Sequence, residues 1–161
     1  MKTLMLMRHA KSSIGEKHQE DWSRPLNKRG RKNAIAMAKL LKEKEAVPQL
    51  IVASTAVRAR QTCELLTEEL NFRGDVHYLS SLYGGEVDTY LYEIKELNDL
   101  AGCVLVVGHN PVLESLLQML TGKVESLPTS AIACLAVPFE HWRELSYEAA
   151  LELTHFWKPK D

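Results

Sequence analysis

At 161 residues and 45% hydrophobic, the chain can bury one sizeable core and is expected to form a single domain over residues 1–161. Its net charge of −1 argues against a general polyanion binder, so nucleic acid is not an expected partner. The few apolar residues before Arg8 are too short for a signal-peptide core or a membrane span, which leaves a soluble, cytoplasmic protein as the expectation.

Charge is unevenly spread. Through Arg31 the chain carries Lys2, Arg8, Lys11, Lys17, Arg24, Lys28, Arg29 and Arg31 against Glu16, Glu20 and Asp21, a balance of +5 that leaves −6 for the remainder. Most of these side chains read as a solvated loop and helix start, but an anion site needs only two or three of them. Cys63, Cys103 and Cys134 are odd in number, scattered, and set in apolar or helical stretches, so they read as reduced thiols in or near the core.

In chain order, Leu4-Met5-Leu6-Met7 predicts a first strand over about 3–7, followed by a long polar loop. Asn27 is the expected cap of a helix over about 28–45 that places Ile35, Ala38 and Leu41 on one face. Pro48 closes that unit, and Leu50-Ile51-Val52-Ala53 predicts a second buried strand. Ser54 or Thr55 is then expected to cap a helix over about 56–70. A third strand is expected near Val76–Leu79, a break at Gly84-Gly85, and a helix over about 87–98 that aligns Tyr90, Leu91, Ile94 and Leu97. Val104-Leu105-Val106-Val107 is the clearest strand, and Gly108-His109-Asn110-Pro111 turns into a helix with the proline near its first turn. Two more strands fit Ile132–Val137 and about 150–156. Strands separated by helices imply an α/β fold, a three-layer α/β/α sandwich with a mainly parallel sheet. Lys158-Pro159-Lys160-Asp161 reads as a loose tail.

In open α/β sheets, ligands sit beyond the carboxyl ends of the strands. Arg8-His9, Ser54 through Arg58, and His109 all fall at such ends and would share one rim. The second and third also open helices, where free N–H groups favour an anion. A lone histidine at a strand end is ordinarily structural, but a neighbouring arginine changes its meaning. Arg8 offers paired donors matched to phosphate oxygens and would repel a metal ion. With no H-E-x-x-H or Cys/His cluster in the chain, no metal is expected. Arg58 could be a helix-surface charge, and His109 could merely cap its turn with Asn110. Their shared rim favours phosphate contacts and, for His109, a donor to developing negative charge. Arg24, in Arg24-Pro25-Leu26, is a further phosphate or substrate contact whose bland alternative is pairing with Asp21.

Three blocks together resemble the histidine phosphatase superfamily. They are Arg8-His9-Ala10 with Arg24-Pro25-Leu26, Asn27 and Arg29-Gly30; Ser54-Thr55-Ala56-Val57-Arg58-Ala59-Arg60-Gln61-Thr62; and Gly108-His109-Asn110-Pro111. The short length is similar to the SixA-type phosphohistidine phosphatase branch. This resemblance implies a phosphoglycerate mutase-like fold, His9 as the nucleophile that becomes phosphorylated, Arg8 and Arg58 as phosphoryl clamps, His109 completing the pocket, and Arg24 as an extra contact. It implies no cofactor, because fixed cations do the electrostatic work of a metal. The expected partner is phosphate or a phosphohistidine-bearing protein, and a monomer is favoured.

Two departures stand out. Ala10 replaces the glycine that usually ends the first block, and the stretch Leu79 through Gly85 lacks the glutamate that larger members carry after the third strand. Asp21 and Glu86 are the candidate acids that remain. Expelling an alkoxide is helped by a positioned acid by roughly two to four powers of ten. A protonated phosphohistidine needs none, so the missing glutamate tilts the substrate toward phosphoramidates. Two other readings stay open: a small-molecule phosphomonoesterase of the same family, and a non-catalytic phosphate or phosphoprotein binder. Trp22, Trp142, Trp157, His18, His77, His141, His155 and Thr129-Ser130-Ala131 are left outside the expected site.

Overall fold

A computed structural model describes residues 1–14 and 19–160; Glu16, Lys17 and His18 of the first loop and Asp161 of the tail lie outside the described residues. One six-stranded sheet runs in the order β3-β2-β4-β1-β5-β6, built from β1 (Lys2–Arg8), β2 (Leu50–Ser54), β3 (Asp75–Leu79), β4 (Cys103–Gly108), β5 (Ile132–Val137) and β6 (Glu152–Trp157). Helices α1 (Lys28–Glu43), α2 (Val57–Leu70), α3 (Ser81–Gly84), α4 (Val87–Lys95) and α5 (Val112–Thr121) connect them.

The sheet's apolar runs are continuous because helices cover both of its faces. Met5 and Met7 of β1 pack with Met37 and Leu41 of α1 and Cys63 and Leu66 of α2. Leu4 and Leu6 point the other way, toward Tyr90 and Ile94 of α4 and Leu113 and Leu117 of α5. On α1 the buried face is Ala34, Met37, Ala38 and Leu41, while Ile35 is only half-buried at its margin. Asn27 caps α1 as its sequence predicts, its side chain accepting from the Gly30 N–H at 2.8 Å. Among the described residues no helix is long and apolar enough to cross a membrane.

Two features refine the sequence expectation. First, the sheet is mainly parallel as expected, β3, β2, β4 and β1 running together, while β5 runs antiparallel to β1 and β6 antiparallel to β5. Residues 138–151 between β5 and β6 form only the short 3₁₀ turns Trp142–Glu144 and Tyr147–Ala149, with no crossover helix. Second, neither Ser54 nor Thr55 is the cap of α2. Ala56 holds that position, and Ser54 Oγ reaches forward to its N–H at 3.1 Å.

The parallel half fixes where the site lies. Because β1, β2 and β4 are parallel neighbours, their carboxyl ends release Arg8-His9, Ser54 and Gly108-His109 along one edge.

Candidate active site

His9 follows the last residue of β1, and three contacts hold its segment. Its backbone N–H donates to Gly108 O at 3.1 Å, and the Ala10 N–H donates to Thr62 Oγ1 at 3.0 Å. Thr62 Oγ1 in turn donates to Arg58 O at 2.7 Å, tying the loop to α2. Gly30 lies against the Lys11 backbone so closely that a Cβ there would collide with the Lys11 carbonyl, which explains why the start of α1 can seat beneath this loop. Ala10 is fully buried, so the small side chain is accommodated where the family's usual residue is glycine.

The ring of His9 is 6% exposed, and its Nδ1 lies 2.7 Å from Ala10 O. A carbonyl only accepts, so Nδ1 carries the hydrogen and Nε2 keeps a lone pair. Arg58 Nε donates to that lone pair at 3.2 Å. Burial, reinforced by His109, Arg58 and Arg8, lowers the His9 pKa to about 3, so the ring is neutral at pH 7.

Arg58, in the first turn of α2, is 6% exposed rather than a helix-surface charge. Its remaining donors go to the Asp21 carbonyl at 2.9 Å and to Asp21 Oδ2 at 3.1 Å. Arg8 is half-buried, reaching Leu127 O at 3.5 Å through Nη1, and its Nε has no partner among the described residues. His109, 7% exposed, stands with its ring centroid 5.1 Å from that of His9, and its Nε2 is 2.8 Å from Ser54 Oγ. Burial, followed by the Arg58 charge, lowers its pKa to about 4.

These groups line a cavity of about 610 Å³ together with Lys11, Ser12, Asp21, Arg24, Tyr83, Gly84, Asn110 and Thr129. Arg24 pairs with Asp21 at 2.9 Å, the bland reading of this residue, and also reaches Ser13 O and, at the cavity wall, Ser12 Oγ. Tyr83 was not singled out by sequence. It sits on the short helix α3, which a Gly-Gly break conceals, and its hydroxyl donates to Asp21 Oδ2 at 2.8 Å. Thr129, left outside the site by sequence, also reaches the cavity wall.

The two candidate acids do not fare as the sequence suggests. Asp21 lines the cavity, but the Tyr83 hydroxyl, with Arg58 and Arg24, lowers its pKa to about 2; it stands as a carboxylate with no proton to give. Glu86 is displaced altogether. It precedes α4 and lines a separate depression with Val87, Asp88, Pro111, Val112 and Ser115. Among the described residues no group of three or more His, Cys, Asp or Glu side chains is arranged to hold a metal ion.

The arrangement is an electropositive cup with one neutral, lone-pair-bearing imidazole at its floor. Such a cup can bind a tetrahedral dianion and attack its central atom.

Comparison with known proteins agrees with this geometry. Residues 4–83 match the family model described as the histidine phosphatase superfamily (branch 1). An uncharacterised protein of Mycobacterium leprae is 34% identical over 167 residues, spanning 96% of this chain and 100% of the relative. Among solved structures, a protein of Agrobacterium tumefaciens provisionally named phosphohistidine phosphatase SixA superposes with a TM-score of 0.85 at 29% identity, covering 98% of each chain. The protein histidine phosphatase SixA complexed with tungstate gives 0.83 at 25% identity, covering 98% of this chain and 97% of that one.

Proposed function

Since the chain belongs to the histidine phosphatase superfamily, we propose that it is a phosphatase that removes phosphoryl groups from phosphohistidine on proteins. The observation that carries this reading is the state of His9: neutral, tied through Nδ1–H to Ala10 O, and offering Nε2 to a cavity ringed by Arg8 and Arg58. Binding alone would need the arginines and backbone amides but not this imidazole.

In the proposed sequence, the phosphoryl group takes the donors of Arg8 and Arg58, and the Arg58 Nε–H moves from His9 Nε2 to a phosphoryl oxygen. The freed lone pair attacks phosphorus in line, the bond to the leaving nitrogen breaks, and Nε2 becomes phosphorylated. Arg8 and Arg58 neutralise the charge that spreads over the equatorial oxygens, and His109 offers a further hydrogen-bond donor. Water then attacks the phosphorylated His9, releasing phosphate and restoring the lone pair.

The leaving group follows from the acids. Asp21 is ionised and Glu86 lies outside the cavity, so among the described residues no carboxylic acid stands ready to protonate an alkoxide. A phosphohistidine protonated on its second ring nitrogen brings that proton with it and departs as a neutral imidazole. Support from related proteins comes from the name borne by the tungstate complex, a protein histidine phosphatase.

Turnover of a histidine-phosphorylated protein against p-nitrophenyl phosphate and common sugar phosphates tests the proposal. A preference for the phosphoramidate over the sugar phosphates of at least about a hundredfold in kcat/KM is expected from the missing acid, whereas p-nitrophenyl phosphate, whose phenolate leaves without one, reports the nucleophile alone. Equal or better use of a sugar phosphate would replace it with the phosphomonoesterase reading, and tight phosphate binding without any turnover would replace it with the binding-module reading.

A further inference from the structure

Ser54 ends β2, is fully buried, and takes no part in the sequence of steps above. Its hydroxyl has two partners: it accepts from the Ala56 N–H at 3.1 Å and lies 2.8 Å from His109 Nε2. A serine hydroxyl has one hydrogen to give and two lone pairs. With Ala56 on one lone pair, the ring must either take the serine hydrogen or supply its own. Were Nε2–H the donor, the Ser54 hydrogen would be buried with no acceptor, a state folded proteins seldom carry. The count closes when Ser54 O–H donates to Nε2. The ring hydrogen then sits on Nδ1, which has no other partner among the described residues and is left for the cavity that His109 lines.

We propose that Ser54 is a positioning residue that fixes His109 as its Nδ1–H tautomer, so that a neutral ring presents an N–H donor to the phosphoryl oxygens. This rests on the reading of the cavity as a phosphoryl site. His9 and His109 then share one tautomer and do opposite work. Held through Nδ1–H by Ala10 O, His9 shows the cavity a lone pair; held through Nε2 by Ser54, His109 shows it a hydrogen.

The surroundings of His109 make such a device necessary. Arg58, Arg8 and Arg24 oppose an imidazolium, Asp21 favours it, and the rings of His9 and Tyr83 pack at 5.1 and 5.6 Å, while its backbone N–H donates to Tyr90 OH. The cations and burial win, and the pKa falls to about 4. In the free protein at pH 7 the ring is neutral, so its tautomer decides whether the nitrogen facing the cavity repels or meets an arriving phosphate oxygen.

Long-range ¹H–¹⁵N spectra of the full-length protein at pH 7, with Ser54→Ala and Ser54→Thr beside wild type, test this directly. Wild type and Ser54→Thr are expected to hold His109 as Nδ1–H, while Ser54→Ala shows the Nε2–H form. With a histidine-phosphorylated protein as substrate, Ser54→Ala should lower kcat about tenfold at pH 7, leave KM little changed, and recover only as pH falls toward 4, where protonation restores the Nδ1 donor. In a His109→Ala background the same substitution should cost nothing further. Wild-type His109 protonated on Nε2 would overturn the proposal, as would a Ser54→Ala loss that is uniform across pH or persists without His109. The wild-type spectrum decides the tautomer even if Ser54→Ala does not fold or no substrate is turned over, so failure here is distinct from failure of the phosphatase reading.

Discussion

The strand-end residues and the first loop meet at the same cavity, yet they are held in different ways. His9, Arg58 and His109 are 6%, 6% and 7% exposed, fixed by Ala10 O, Thr62 and Ser54 at the ends of parallel strands or the first turn of α2. Asp21 and Arg24 come from the loop between β1 and α1, where the Asp21 side chain is 54% exposed and bonds Arg24, Arg58 and Tyr83. The contrast separates chemistry from access. Under the proposed mechanism, the groups that would hold a reacting atom in line are seated in the sheet's rim, whereas the carboxylate that bonds Arg58 and Arg24 sits on the more exposed first loop.

Breaking the strand-end set has the largest expected effect. His9→Ala should lower turnover by roughly four powers of ten or more, since the remaining cations bind but cannot attack, and steady-state assays at saturating substrate would register it. Arg58→Ala and His109→Ala should each lower kcat by about two to three powers of ten, the loss expected when one donor to developing charge is removed. A loss confined to KM in the Arg58 variant would mean that it serves docking alone.

The loop should answer in the opposite sense. Asp21→Asn removes the charge that competes for Arg58 and Arg24, so inorganic phosphate should inhibit several-fold more tightly in a competition assay. A fall in kcat of two or more powers of ten without tighter phosphate binding would instead make Asp21 the proton donor and dissolve the contrast.

A last effect concerns stability. The folded pKa values of His9 and His109, about 3 and 4, lie below the ordinary histidine value of 6.5, so between those limits the unfolded chain binds more protons. Stability from these two groups is complete above pH 6.5 and is lost as pH falls toward 4 and 3, at up to about 1.4 kcal/mol per pH unit for each group. Urea denaturation at pH 7, 5.5 and 4.5 would follow this decline, and His9→Gln should flatten it.

Much of this rim could be read from the chain. A run of four apolar residues ending in Arg8-His9 is a strand leaving a covered sheet, and Asn27 before a 3.6-residue pattern is a cap; both signals are local. The second half of the sheet was less legible. β5 is buried along most of its length, so its sequence looks like that of a parallel strand, and nothing local to it marks its antiparallel pairing with β1 and β6. The partners of the functional groups were hidden for a related reason. Ser54 reads as a helix cap and Tyr83 as part of a glycine-rich break, and only the folded rim brings one to His109 and the other to Asp21. Glu86, adjacent in sequence to the place where an acid was sought, faces another depression because the turn into α4 carries it away.

The central claim is that His9 Nε2 forms the bond to phosphorus. Rapid quenching of the wild-type protein with a ³²P-labelled phosphohistidine protein, followed by mapping of the acid-labile label, tests it most directly. Label on residue 9 as the Nε2-phosphorylated isomer is the predicted result, because Nδ1 is tied to Ala10 O. Label on Nδ1, label on another residue, or turnover with no labelled protein at any quench time would contradict it.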